Sequence, residues 1–137
     1  MKANEKIVVA KEMSNTFESQ KSSRFVLRIK NAAGDCLIPP YLIKKVKFCP
    51  MQRMPSIWFE MYVAENCNLQ DYIDITAVEG GVTAEITLFN KLGNVNNVVV
   101  VDGLKLFLYP FDLDYCDESR LILQFQSSYE IPHVTVN

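Results

Sequence analysis

Polar and apolar residues alternate with a period of two along much of this chain, the pattern of strands that bury one face and wet the other. In residues 24–30, Phe25, Leu27 and Ile29 oppose Arg24, Arg28 and Lys30, with Val26 the exception. Residues 42–48 set Leu42, Val46 and Phe48 against Lys45 and Lys47, while Ile43 and Lys44 each break the pattern. Residues 82–90 set Val82, Ala84, Ile86 and Leu88 against Thr83, Glu85 and Thr87. Residues 119–130 set Leu121, Leu123, Phe125 and Tyr129 against Gln124, Gln126, Ser128 and Glu130. Two more segments, 57–64 and 95–108, read as strands from their β-branched and aromatic content. The second carries Asp102-Gly103 and is expected to bend or bulge there. Helical spacing is confined to 65–76, where Leu69, Tyr72 and Ile73 share a face and Asn66 or Asn68 can cap the start, and to a turn within 15–20.

Glycine, asparagine and proline fall between these segments, as hairpins require: around Gly34, at Gly80-Gly81, around Gly93, and at Pro50 and Pro55 on either side of a short connection. The pattern predicts a mainly β fold, a sandwich or barrel of about six to eight antiparallel strands with one short outer α-helix. Nothing marks a linker or a repeat, so residues 1–137 are read as a single domain, with an arm at 1–20 and a C-terminal tail at 131–137 that is expected to be loose.

Composition narrows the function. With 137 residues the chain suits one domain that buries a real core. Hydrophobic residues make up 49% and charged ones 22%, so global disorder is excluded. A net charge of −2 argues against a protein that binds nucleic acid by neutralising phosphates, although Lys44, Lys45 and Lys47 cluster locally. No stretch approaches the roughly 20 apolar residues of a membrane span. The only apolar run near the N-terminus, Ile7 to Ala10, is too short for a signal-peptide core. The expectation is a chain that folds in the cytoplasm with no membrane anchor. Its four cysteines, Cys36, Cys49, Cys67 and Cys116, form no C-x-x-C pair and are read as buried or half-buried thiols.

Reactive chemistry is sparse. One histidine, His133, stands near the C-terminus without a companion for acid–base work or zinc ligation. No nucleophile elbow, P-loop or dinucleotide fingerprint is present. Asp112, Asp114, Asp117 and Glu118 could suggest calcium, but the segment lacks the sharp-turn glycine of such loops and reads as an acidic surface loop. Trp58, Phe59 and Tyr62 could make a sugar-stacking platform, but both faces of their strand look partly buried, and core packing is the expectation for all three. No catalytic, cofactor-binding or metal-binding residues are expected.

Several stretches, taken in order, resemble the tail-tube proteins of contractile phages, a family related to baseplate–tube junction proteins and to the tube protein of type VI secretion. T-F-E-S followed by R-F-V-L-R-I, residues 16–29, resembles that family's opening turn and first strand. W-F-E-M-Y-V-A-E-N-C-N-L-Q-D-Y-I, residues 58–73, resembles its strand followed by a single helix. I-T-L-F-N-K-L-G, residues 86–93, resembles the start of its closing hairpin, and residues 113–130 resemble its last strand, about one residue out of step. An aromatic-proline step is found at Tyr109-Pro110, where the long strand ends.

The resemblance implies a structural protein and no enzyme. Six copies would form a ring whose inner sheets join around a channel, and rings would stack into a tube through which DNA passes on ejection without being read. Implied partners are further copies, the tail sheath, baseplate and tape-measure proteins, and the implied location is the virion tail, assembled in the host cytoplasm. Carried onto this sequence, Met51, Gln52, Arg53 and Met54 would contact the next ring. Glu65, Asp71 and Asp74 would face the sheath, and Glu60 and Glu85 the lumen. Two alternatives stand beside this one: a baseplate–tube junction or tube-initiator protein, and a monomeric β-sandwich that binds a small apolar ligand or a sugar.

Overall fold

The segments with period-two alternation fold as strands, and register turns the alternation into two faces. The structure, a computed structural model, describes residues 19–49, 51, 55–127 and 133–136. The strands are β1 (Phe25–Lys30), β2 (Ile43–Cys49), β3 (Ser56–Tyr62), β4 (Val82–Phe89), β5 (Val95–Leu104), β6 (Leu106–Leu108), β7 (Ile122–Ser127) and β8 (His133–Val136). They build two four-stranded sheets, ordered β1-β4-β5-β8 and β2-β3-β7-β6, in which every pairing is antiparallel. The mainly β expectation holds.

The core lies between the sheets. Leu27, Ile29, Val82, Ala84, Ile86 and Val101 enter it from the first sheet. Ile57, Phe59, Met61, Leu106, Leu123 and Phe125 enter from the second. Phe59 and Phe125 are register partners and stack with ring centres 5.1 Å apart, both fully buried. The inward row of β7 ends on Ser127, 6% exposed, whose Oγ accepts a hydrogen bond from the Ile57 amide at 3.0 Å. Pairing that amide removes the cost of leaving it unsatisfied beside the core.

The helix is shorter than its sequence pattern. Asn68 caps it, accepting from the Gln70 amide at 3.1 Å, so α1 spans Leu69–Asp74, and a 3-10 turn, Ile75–Ala77, follows. Residues 65–67 precede the cap because an asparagine side chain that takes the first free N–H ends the helix there. Tyr72 and Ile75 point inward and close one flank of the core. Most of the turn expected within 15–20 lies outside the described residues.

Two expectations are corrected. The C-terminal tail is not wholly loose: His133–Val136 adds β8 to the edge of β5. And 95–108 is not one bent strand. Three residue steps of β5, Val101 to Leu104, face two steps of β4, Val82 to Ala84, so an extra residue bulges at Asp102-Gly103 as expected. After Lys105, however, the chain leaves the first sheet and enters the second as β6.

This crossing brings backbones together. A Cβ on Gly81 would lie 2.6 Å from the Leu104 carbonyl oxygen, and Gly81 has φ +80. Gly34 has a similar φ of +88 with nothing within 4 Å of its Cβ position. Gly81→Ala is therefore expected to lose about 1–3 kcal/mol more than Gly34→Ala, since both carry the conformational strain but only one overpacks. Urea denaturation of the two variants measures the difference, and equal losses would show that the close approach does not limit packing.

Candidate functional site

A sandwich has two outward faces, and here each carries its own polar arrangement. On the first sheet, register places Arg28 opposite Glu85 and sets Lys30 diagonally across from it. Lys30 Nζ lies 2.8 Å from Glu85 Oε2 and Arg28 Nη1 3.5 Å from Glu85 Oε1, while Arg28 also donates to Thr87 Oγ1 at 3.4 Å. Farther along, Thr83 donates to Asp102 at 2.8 Å beside the β5 bulge.

The outward face of the second sheet is arranged in transverse rows. Lys47, Trp58, Gln126 and Phe107 form one, and Lys45, Glu60 and Gln124 another. Lys47 Nζ stands 4.9 Å from the centre of the Trp58 ring, and the Arg120 guanidinium 5.2 Å from that of Tyr62. Gln124 donates to Glu60 Oε1 at 3.2 Å, and the Tyr109 hydroxyl donates to Gln126. A register shift between Ile43 and Lys45 explains the broken alternation there: Lys44 and Lys45 are both exposed, and Lys44 Nζ reaches Glu60 Oε2 at 3.4 Å.

The aromatic trio therefore divides. Phe59 is core, as expected, but the same expectation is corrected for Trp58 and Tyr62, which face outward half-buried, each with a cation over its ring. Cations in those positions occupy the surfaces a stacked sugar would need. Glu60 and Glu85 are not brought together, because they belong to the outward faces of different sheets.

Glu65, Asp71 and Asp74 are exposed, on α1 and the turn before it, and Asp74 accepts from Gln70 at 2.7 Å. Asp71 sits in the first helical turn, where the helix dipole favours a negative charge. Burial pushes the Tyr72 phenol above its ordinary value, reinforced by Cys67, Tyr41 and Asp71. Met51 is 62% exposed in the β2–β3 connection, and Gln52, Arg53 and Met54 lie outside the described residues.

In the acidic loop the carboxylates shape turns. Asp114 accepts from the Cys116 amide at 2.9 Å and Asp117 from the Ser119 amide at 2.8 Å. The Ser119 hydroxyl and amide together hold Asp117 below its ordinary value. Among the described residues no three His, Cys, Asp or Glu side chains gather as metal ligands, and no helix is long and apolar enough to cross a membrane. The four cysteines are free thiols, and the expectation that all are buried or half-buried is corrected: Cys36 and Cys116 are exposed.

No protein-family profile and no curated protein sequence matches the chain. Its fold does match solved structures. A chain of the anti-feeding prophage cap, a tube-terminating cap, superposes with a TM-score of 0.58 at 15% identity, covering 88% of this chain and 92% of that one. A chain of the PVC sheath–tube complex, part of an extracellular contractile injection system in its extended state, gives 0.57 at 13% identity, covering 93% and 96%. A chain of the six-fold anti-feeding prophage baseplate gives 0.53 at 14%, covering 88% and 97%. At such identities the shared property is the fold, and it is shared over nearly the whole of each chain.

The Glu85 arrangement yields a direct test. Glu85→Gln leaves Arg28 and Lys30 side by side without their shared carboxylate, so a loss of about 0.5–1 kcal/mol is expected at low salt, fading as salt is raised to about 1 M. Denaturation at several ionic strengths reads it, and a loss indifferent to salt would assign Glu85 a packing role instead.

Proposed function

We propose that this chain is a structural subunit of the inner tube of a contractile tail: six copies form a ring, and rings stack around a channel through which DNA passes during ejection. The observation that supports this most is the fold likeness, along almost its full length, to chains in assemblies described as a sheath–tube complex, a tube-terminating cap and a baseplate. The scarcity of reactive side chains fits the same reading.

One channel has one wall, and Glu60 and Glu85 lie on opposite faces. We assign the wall to the sheet β2-β3-β7-β6, with Glu60 towards the lumen and Glu85 away from it. Both ends of that sheet, β2 and the three-residue β6, lack a further strand among the described residues. Pairing such edges with neighbours around a ring satisfies their backbone groups. The wall would present Gln124 and Gln126 beside Glu60, which Lys44 neutralises, with Lys45 and Lys47 adding positive charge on the same face.

The β2–β3 connection with Met51, Gln52, Arg53 and Met54 would then meet the next ring, adaptable methionines beside one directional cation. Glu65, Asp71 and Asp74 would face the sheath through weak surface ion pairs that release on contraction. Baseplate and tape-measure proteins complete the partners, and the location is the tail. A second reading, a cap or junction subunit that forms rings without propagating them, is favoured by the cap and baseplate matches.

Negative-stain electron microscopy of the purified chain over a concentration series tests the proposal. Stacked rings with a central hole are expected for a tube subunit and single rings for a junction subunit, whereas a monomer at every concentration, with sheath and baseplate proteins present, overturns both. Arg53→Asp with Met54→Ser should leave the protomer folded and stop growth at single rings; tubes of normal length from that variant would refute the inter-ring contact. Charge reversal at Asp71 and Asp74 should weaken sheath assembly on preformed tubes in co-sedimentation, and unimpaired assembly would move the sheath contact elsewhere.

A further inference from the structure

The loop between β6 and β7 carries two large apolar side chains that the protomer leaves in water. Leu113 is 78% exposed, and Tyr115, inside the turn that the Asp117 amide closes on the Asp114 carbonyl, is fully exposed. Asp112, Asp114, Asp117 and Glu118 surround them, which makes the loop an acidic knob with an aromatic tip. Asp114 and Asp117 hold its shape by accepting from the Cys116 and Ser119 amides. A tyrosine presented on an ordered turn is a common anchor at interfaces between proteins, because its ring buries a large area at little entropic cost.

A surface of opposite character lies at the other edge of the same sheet. Between the edges of β1 and β2 runs a groove of about 590 Å³, its floor made by Phe25, Leu27, Pro40, Ile43 and Val46. Lys44 and Lys45 stand exposed at its rim, and Lys45 makes no ion pair among the described residues. In the order β2-β3-β7-β6 the groove and the protomer's own knob are separated by three strand spacings, about 14 Å. Complementary surfaces at opposite edges join copies head to tail. Strand direction makes the join specific. Every pairing in the sheet is antiparallel, so β6 runs opposite to β2 and would pair with a neighbour's β2 in the same antiparallel sense. Ile43 pairs with Met61, beside Tyr62 and its partner Ile122, and β6 runs towards that same end. The residues after Leu108 would therefore leave the pair at the Ile43 end of the neighbour's β2, where the groove lies.

We infer that the acidic knob of one copy docks in the β1–β2 groove of the next, Leu113 and Tyr115 covering the apolar floor and the surrounding carboxylates meeting Lys44 and Lys45. This contact rests on the ring reading of the second sheet and adds to it the side chains that select the neighbour. The test is sedimentation velocity over a concentration series, on the unmodified chain and on two double variants. One breaks the knob, Leu113→Ser with Tyr115→Ser; the other makes the groove acidic, Ser23→Glu with Lys45→Glu. All four residues are exposed, so unchanged urea midpoints are expected and confirm an intact fold. Each variant should need at least about tenfold more protein to self-associate than the unmodified chain, and the loss for the groove variant should shrink in high salt. Mixed at a concentration where each alone is monomeric, the two variants should form dimers and nothing larger, because the mixture keeps one intact knob facing one intact groove. Self-association of the knob variant equal to that of the unmodified chain overturns the contact and leaves the ring reading standing. So does a mixture that fails to dimerise. An unmodified chain that is monomeric at every concentration also overturns the contact; the tube reading falls with it only if the same holds with sheath and baseplate proteins present.

Discussion

Residues 95–108 run from one sheet into the other without a turn, and at this crossing a single residue, Lys105, ties the two sheets together. The extra residue at Asp102-Gly103 bends β5, Gly103 adopting φ +71, and the chain then crosses at Lys105 into β6. Because β6 must pair with β7 and β5 with β4, the sheets can neither slide nor turn over independently. Gly81 belongs to the same constraint: β4 begins against the Leu104 carbonyl, at a distance no side chain would allow. From this crossing follow the shared core, the opposition of the two polar faces, and the identity of the edge strands β1, β8, β2 and β6.

The fold was legible in the sequence where each strand buries one face. Alternation in β1, β4 and β7 identifies Leu27, Ile29, Ala84, Leu123 and Phe125 as interior, and they are. Within β3, where both faces are aromatic or apolar, alternation cannot tell Phe59 from Trp58. The pairing of Phe59 with Phe125 decides it, and pairing is a property of two distant segments. The break at Ile43 and Lys44 was visible as a break, but a bulge is a relation to the partner strand. β6 was invisible as a separate strand because a change of sheet leaves no mark on composition. The H-V-T-V of β8 did carry a signal in its β-branched residues, obscured by its shortness and terminal position. For the same reason Glu60 and Glu85 looked alike: each is the polar member of an alternating strand, and only topology puts them on opposite faces.

Each acidic side chain in the strand rows of the two faces is answered at close range. Glu85 answers Arg28 and Lys30, and Glu60 answers Lys44, with side chains 15% to 40% exposed. Partly buried pairs of this kind add little stability individually; on the first sheet they offset most of the charge, whereas Lys45 and Lys47 leave the second face net positive. The near-neutral first face can meet another protein's polar face, and the second favours an acidic one.

An edge that invites pairing also invites uncontrolled growth, and β2 is such an edge. Were copies to pair β2 against β6 around a closed ring, each open edge would meet the other kind of edge, and pairing that otherwise runs on without limit would stop at the number of copies that closes the circle.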